Sequence, residues 1–122
     1  GFPRMRDYFV EESLCCQVME MIDGETLEEL VEREGAMSLR EVVDITRQLA
    51  QHLRFLHEHP AGPFVYRDLK PSNVMLDGAG TVFLVDFGIC RLYKPEELRD
   101  TQFLGTLGYA APELFHGQPD EA

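Results

Sequence analysis

Tyr66-Arg67-Asp68-Leu69-Lys70-Pro71-Ser72-Asn73 is the stretch on which the reading of this chain turns. It gathers a carboxylate, an ammonium and an amide in one short polar loop. Asp68 and Asn73 stand five positions apart, and Lys70 follows Asp68 by two. Before the loop, Phe64-Val65-Tyr66 predicts a brief strand. After it, Val74-Met75-Leu76 and Val82-Phe83-Leu84-Val85 predict two strands around Asp77-Gly78-Ala79-Gly80, a hairpin signal. Asp86-Phe87-Gly88 follows the second strand directly, and Gly105-Thr106 and Ala111-Pro112-Glu113 come later. A lone Asp-Phe-Gly is more often a β-turn than a metal site, and each tripeptide alone occurs often by chance. All of them in this order are specific.

Upstream, residues 5–20 predict two short strands around a polar turn at Glu11-Glu12-Ser13. The second, Leu14 to Glu20, is nearly continuous in apolar residues and reads as buried. Met21-Ile22-Asp23-Gly24-Glu25 is a connector. Thr26 and Glu29 have capping-box spacing and predict a short helix, with Leu27, Leu30 and Val31 on its apolar side and Gly35 at its end. Ser38 and Glu41 repeat the capping box. Val42, Ile45, Leu49, Leu53 and Leu56 then recur at helical spacing on one face, with His52 beside it. Pro60 ends that helix, and Ala61-Gly62-Pro63 is a turn. From Asp86 onward the chain reads mostly as loop, punctuated by Gly88, Pro95, Gly105, Gly108 and Pro112. Residues Pro112 to Phe115 could start another helix.

The composition narrows the function classes. In 122 residues, 44% hydrophobic and 27% charged, the balance is that of a folded domain rather than a disordered chain. Acidic residues number 22 against 11 Lys plus Arg, a net charge of -11. Duplex nucleic acid and anionic membrane surfaces are both disfavoured by that sign. No run approaches the ~18 apolar residues of a membrane span, and no signal peptide is visible. Cys15, Cys16 and Cys90 make an odd set without C-x-x-C spacing, which suits a reducing cytosol. In a strand Cys15 and Cys16 alternate sides, so one of them is expected in the core. His52 and His57 are five apart, not the four that would bring two metal ligands together. Glu25, Glu28, Glu29, Glu32 and Glu34 read as a solvated helix face, with attraction of basic substrates as the sharper alternative.

The loop at Tyr66–Asn73 resembles the catalytic loop of protein kinases, Asp86-Phe87-Gly88 resembles their magnesium-binding turn, and Gly105-Thr106 through Ala111-Pro112-Glu113 resembles the end of their activation segment. The resemblance covers essentially the whole chain. It implies a partial α+β protein-kinase-like fold, with N-lobe strands at 1–18, a hinge at 19–24 and the C-lobe at 25–122. It further implies phosphoryl transfer from ATP to Ser/Thr hydroxyls of proteins, with Mg2+. Asp68 would accept the hydroxyl proton, and Lys70 would contact the transferred phosphate as a serine/threonine-kinase mark. Thr106 would support both. Asn73 and Asp86 would hold Mg2+ through oxygen. Met19 would be the gatekeeper, backbone groups of Glu20 and Ile22 would bind the adenine edge, Met75 would form the floor, and Val85 would precede the magnesium turn. Met19 and Met75 could equally be flexible core filler. Arg67 would pair with a phosphorylated activation-loop residue. Thr101 is the candidate, one position off the expected spacing, where Gln102 stands.

Tyr66 departs from the commoner His, a variant found in bacterial kinases. It is expected to stack under Phe87, with Met5 above. The Gly-rich loop, the strand lysine with its glutamate partner, and the helices that follow Ala-Pro-Glu are not in the sequence. The chain also opens on Gly1 without an initiator Met. The expectation is therefore an internal fragment of a bacterial-type kinase domain, inactive and poorly soluble alone. Its catalytic segment would be cytoplasmic, without membrane or nucleic-acid contact, in a parent that could be membrane-anchored. The competing readings are a pseudokinase-like scaffold module and a small-molecule phosphotransferase of similar fold. Arg67, Lys70 and Thr106 argue against the phosphotransferase, and Asp68, Asn73 and Asp86 against the scaffold.

Overall fold

The computed structural model describes residues 1–12, 14–88, 90–93 and 105–112. Strands β1 (Met5–Glu11) and β2 (Leu14–Met19) form an antiparallel ribbon, from Glu11↔Leu14 through Tyr8↔Gln17 to Asp7↔Val18. The register slips between Met5 and Asp7, so Met5 still reaches Met19. Contrary to the apolar reading of residues 14–20, β2 is exposed except for half-buried Cys16. No described element packs extensively on the ribbon, so its apolar residues have no covering layer among the described residues. Cys15 is exposed, and neither cysteine of the pair is in the core.

The remainder is built around a three-stranded antiparallel sheet. Strands β3 (Gly24–Thr26), β5 (Val74–Asp77) and β6 (Val82–Leu84) lie in that order. β3, which the sequence suggested only as connector, pairs Gly24 with Asp77 and Thr26 with Met75. Gly24 is required there by space: a Cβ would sit 2.0 Å from the Leu76 carbonyl oxygen. Helix α1 (Leu27–Glu34) starts at Thr26 and ends at Gly35, whose φ of 81° is left-handed. Helix α2 (Leu39–His57) starts at Ser38. Both capping boxes form as read, each pairing the cap hydroxyl and the Glu carboxylate with the other's backbone N–H. α2 ends before Pro60, where the Glu58 N–H donates to the Arg54 carbonyl.

Ile45 and Leu56 of α2 pack with Tyr66, Val74, Val82 and Leu84 to make the core; Leu49 and Leu53 are half-buried against it, and Val42 is exposed. Gln48 completes β6 from the side: the Val82 N–H donates to its Oε1 at 3.0 Å, and its Nε2 donates to the Gly80 carbonyl at 3.0 Å. The rest of that edge is satisfied by His52, whose Nε2 lies 2.9 Å from the Val82 carbonyl, and by Gly1, whose carbonyl accepts the Leu84 N–H at 3.0 Å. Strand β4 (Phe64–Val65) pairs antiparallel with β7 (Arg91–Leu92). β7 interrupts the stretch read as loop after Asp86, and its two residues are too short to show periodicity. Of the segment Pro112–Phe115, only Pro112 lies within the described residues.

Candidate functional site

The polar loop hangs between β4 and β5, and its shape follows from a few local constraints. Tyr66 is buried, and its hydroxyl donates to the Val85 carbonyl. Burial raises that phenol far above its ordinary range, with the Asp86 and Asp68 charges adding to the effect, so it stays a donor. Arg67 turns the backbone at a φ of 70°, the left-handed region that side chains rarely adopt. Pro71 then opens a single 3₁₀ turn, Pro71–Asn73, whose fixed φ suits the first position. This turn delivers Asn73, the buried polar residue of the core.

Three of the residues singled out in the sequence, Thr106, Lys70 and Asn73, meet at a fourth, Asp68. Thr106 Oγ1 donates to Asp68 Oδ1 at 2.7 Å. Lys70 Nζ lies 2.9 Å from Asp68 Oδ2 and donates to Thr106 Oγ1 at 2.8 Å. Asn73 Nδ2 donates both to Asp68 Oδ2 and to the Asp68 carbonyl, each at 2.9 Å. Burial pushes the Asp68 carboxyl up, but the hydrogen bonds from Lys70, Thr106 and Asn73 outweigh it. The net result is a carboxyl below its usual range, ionised at neutral pH. Thr106 comes from a segment 38 positions away, so the cluster is tertiary.

Asp86 sits on a second loop, at a φ of 58°. It is exposed, and its Oδ1 accepts the Gly88 N–H at 3.0 Å. Val85 joins the two loops. Its N–H donates to the Asn73 carbonyl at 3.0 Å while its own carbonyl takes the Tyr66 hydroxyl. Sequence reasoning gave Val85 only a place before the turn; its backbone role could have been suspected from the buried phenol's need for an acceptor. Tyr66 does not stack flat under Phe87. The rings meet edge to face, 5.3 Å apart at 78°. Phe87 also meets Phe2, at 5.7 Å, while Met5 is in the ribbon opposite Met19.

The residues read as adenine contacts lie on several elements. Met19 ends β2, 40% exposed. The Glu20 N–H donates to the Arg4 carbonyl at 2.8 Å. Its carbonyl and the Ile22 N–H have no hydrogen-bond partner among the described residues. Met75 is half-buried in β5, opposite Phe83. Glu113, Thr101 and Gln102 lie outside the described residues.

Comparison with known proteins gives one answer. A family model described as the protein kinase domain matches residues 3–121. The serine/threonine-protein kinase PkaA of Streptomyces coelicolor is 39% identical over 120 residues, which are 95% of this chain and 22% of that protein. The serine/threonine-protein kinase PknA of Mycobacterium tuberculosis is 36% identical over 97 residues, 79% of this chain and 22% of that protein. The protein kinase kin1 of Schizosaccharomyces pombe is 32% identical over 114 residues, 93% of this chain and 12% of that protein. The chain thus spans less than a quarter of the length of these relatives.

Proposed function

The chain belongs to the protein kinase domain family, and on that premise we propose that it carries the catalytic and magnesium-binding loops of a serine/threonine protein kinase. The protein containing it would transfer the γ-phosphate of ATP to Ser or Thr hydroxyls of a protein substrate. The observation that carries this reading is the closed cluster of Asp68, Lys70, Asn73 and Thr106. Phosphoryl transfer is mostly positioning and charge neutralisation, and this cluster supplies both. Asp68 is an ionised carboxylate whose oxygens are fixed by three partners. It would orient the incoming hydroxyl and take its proton. Lys70, between Asp68 and Thr106, is a positive point charge for the transferred group. Thr106 keeps carboxylate and ammonium in register.

The donors present fit Mg2+. Asn73 gives its amide N–H groups to Asp68, and its Oδ1 has no partner among the described residues. Asp86 is an exposed carboxylate with one oxygen on Gly88 N–H. One amide oxygen and one carboxylate, with room for phosphate and water, are the kind of protein share this cation takes. Asn73 and Asp86 would hold it, and when bound it would neutralise charge on the phosphates. The Glu20 carbonyl and Ile22 N–H would meet the adenine edge, bordered by Met19, Met75 and Val85. A reducing, cytoplasmic setting for this segment fits its three free cysteines. No helix among the described residues is long and apolar enough to cross a membrane.

The test is phosphoamino-acid identification. The intact protein is incubated with γ-labelled ATP, Mg2+ and peptides bearing Ser, Thr or Tyr. Label on Ser or Thr, lost in Asp68→Asn, is expected. Label on Tyr alone, or label that persists in Asp68→Asn, would refute the assignment.

A further inference from the structure

We propose that Gln48 of α2 is a positioning residue for Asp86, acting through β6, a role that rests on Asp86 holding Mg2+ in phosphoryl transfer. β6 is three residues long, Val82–Leu84, and Asp86 follows its end by two positions. Whatever fixes β6 therefore fixes where that carboxylate is delivered. On one side β5 does so, through Leu76↔Val82, Met75↔Phe83 and Val74↔Leu84. The Asp77 N–H donates to the Thr81 carbonyl and the Val85 N–H to the Asn73 carbonyl. In an antiparallel pair such bonds alternate, so those to β5 belong to Thr81, Phe83 and Val85. Val82 and Leu84 turn their backbone groups to the other side, where no described strand pairs with β6.

Gln48 takes the missing strand's place at two points. Its Oε1 accepts the Val82 N–H and its Nε2 donates to the Gly80 carbonyl, each at 3.0 Å. A side-chain amide offers one acceptor and a donor in one plane, as a neighbouring peptide group would. Gly80, at a φ of 78°, closes the hairpin turn, so the two bonds straddle the entry into β6. Val82 is fully buried, and its N–H has no water to turn to if Gln48 is lost. The Val82 carbonyl is better supplied, since His52 Nε2 and the Gly1 amino group both meet it. Asp68 is fixed in another way. Lys70, Thr106 and Asn73 bond its own carboxylate, and none of them lies on β6. Loosening β6 should therefore displace Asp86 more than Asp68.

The experiment compares Gln48→Met and Gln48→Glu with wild type in the intact protein. Methionine keeps the length and bulk and loses both bonds. Glutamate keeps the acceptor and loses the donor. Two quantities are read: amide hydrogen exchange, and the Mg2+ concentration that gives half-maximal transfer of γ-labelled phosphate. In Gln48→Met, exchange should quicken about tenfold at Val82 and Val85 and stay unchanged at Asn73, whose N–H is held by the Lys70 carbonyl. The Mg2+ requirement should rise about tenfold, with a smaller fall in kcat at saturating Mg2+. Gln48→Glu should recover the protection at Val82 and part of the Mg2+ requirement. Quickening confined to Val82 would overturn the proposal, since Gln48 would then only cap a strand edge. Equal quickening at Asn73 would overturn it too, as general loosening of the fold. So would lower turnover at an unchanged Mg2+ requirement. A wild type that transfers no label would refute the kinase function instead, and the exchange pattern alone would then decide whether Gln48 positions the Asp86 loop.

Discussion

Asp68 and Asp86 lie on two loops joined through Val85, and the two loops treat their aspartates in opposite ways. Asp68 accepts from Thr106, Lys70 and Asn73, and the network is closed. Asp86 is exposed and takes a single N–H, from Gly88. Each follows a backbone turn of positive φ, at Arg67 and at Asp86 itself, so neither loop is the relaxed path of the chain. The first carboxylate is finished by protein alone. The second is left open, as the proposed role of metal ligand would require. That contrast separates a group the fold positions from a group a cation would position.

Substitution at either aspartate is the hardest test of the contrast. Asp68→Asn and Asp86→Asn in the intact protein should each lower turnover by about 10²–10⁴-fold. They should differ in binding. Affinity for Mg2+ and nucleotide together should fall about 10–100-fold in Asp86→Asn and stay near wild type in Asp68→Asn. Equal losses of affinity in the two variants, read by equilibrium titration, would erase the distinction.

Beneath both loops lies the β5–β6 hairpin, with Val82 and Leu84 fully buried. Leu84→Ala should cost about 2–5 kcal/mol in denaturant unfolding, loosening both loops together. Val10→Ala in the ribbon, at 62% exposure, should stay within about 0.5 kcal/mol. A large effect at Val10 would mean that the ribbon, not the hairpin, holds the structure.

The parts of this fold that a sequence discloses are those with local rules. Thr26 with Glu29 and Ser38 with Glu41 announced their helices because a capping box is satisfied within one turn. The hairpin around Asp77–Gly80 was legible for the same reason. Burial of β2 was misjudged because it depends on what lies over the ribbon, which no local pattern encodes. β3 was missed because its pairing to β5 is a long-range choice, fixed by the space that Gly24 leaves at Leu76. In the site, residue types and order pointed to Asp68, Lys70, Asn73 and Thr106 through a family resemblance. The Thr106–Asp68 bond itself spans 38 positions and could not be derived from spacing. The Tyr66–Val85 bond had a chemical signal, a phenol in an apolar strand, but no means of choosing its acceptor.

Thr106 tests how far the closed network depends on its distant member. Thr106→Ala removes one donor to Asp68 and one acceptor for Lys70, and a misplaced reacting group costs up to about 10²-fold. A fall in kcat of about tenfold or more is expected, with the KM for ATP little changed. Thr106→Ser keeps the hydroxyl and should recover most of the loss. If serine does no better than alanine, packing of the methyl group is what matters and the hydrogen bonds are incidental.

The smallest effect, and the most direct on the Asp68 side, is in proton affinity. Burial alone would raise the Asp68 carboxyl, so its depression is the work of Lys70, Thr106 and Asn73. Lys70→Met removes a hydrogen bond and the only positive charge placed on that carboxylate by the described residues. The Asp68 titration, followed by carboxyl-carbon NMR, should therefore move upward. The linkage has a definite sign. A carboxyl depressed on folding stabilises the native state above its unfolded pKa, about 3.9, and that stabilisation is lost as pH falls through the lower folded value. Narrowing the gap reduces the protons taken up on acid unfolding. Stability of Lys70→Met should thus depend less steeply on pH in that acid window than wild type, even if the variant is less stable at neutral pH. An unmoved Asp68 titration would mean that Thr106 and Asn73 hold the carboxylate without the ammonium. Lys70 would then be as open toward a ligand as Asp86, and the boundary between the two kinds of group would fall inside the Tyr66–Asn73 loop instead of between the loops.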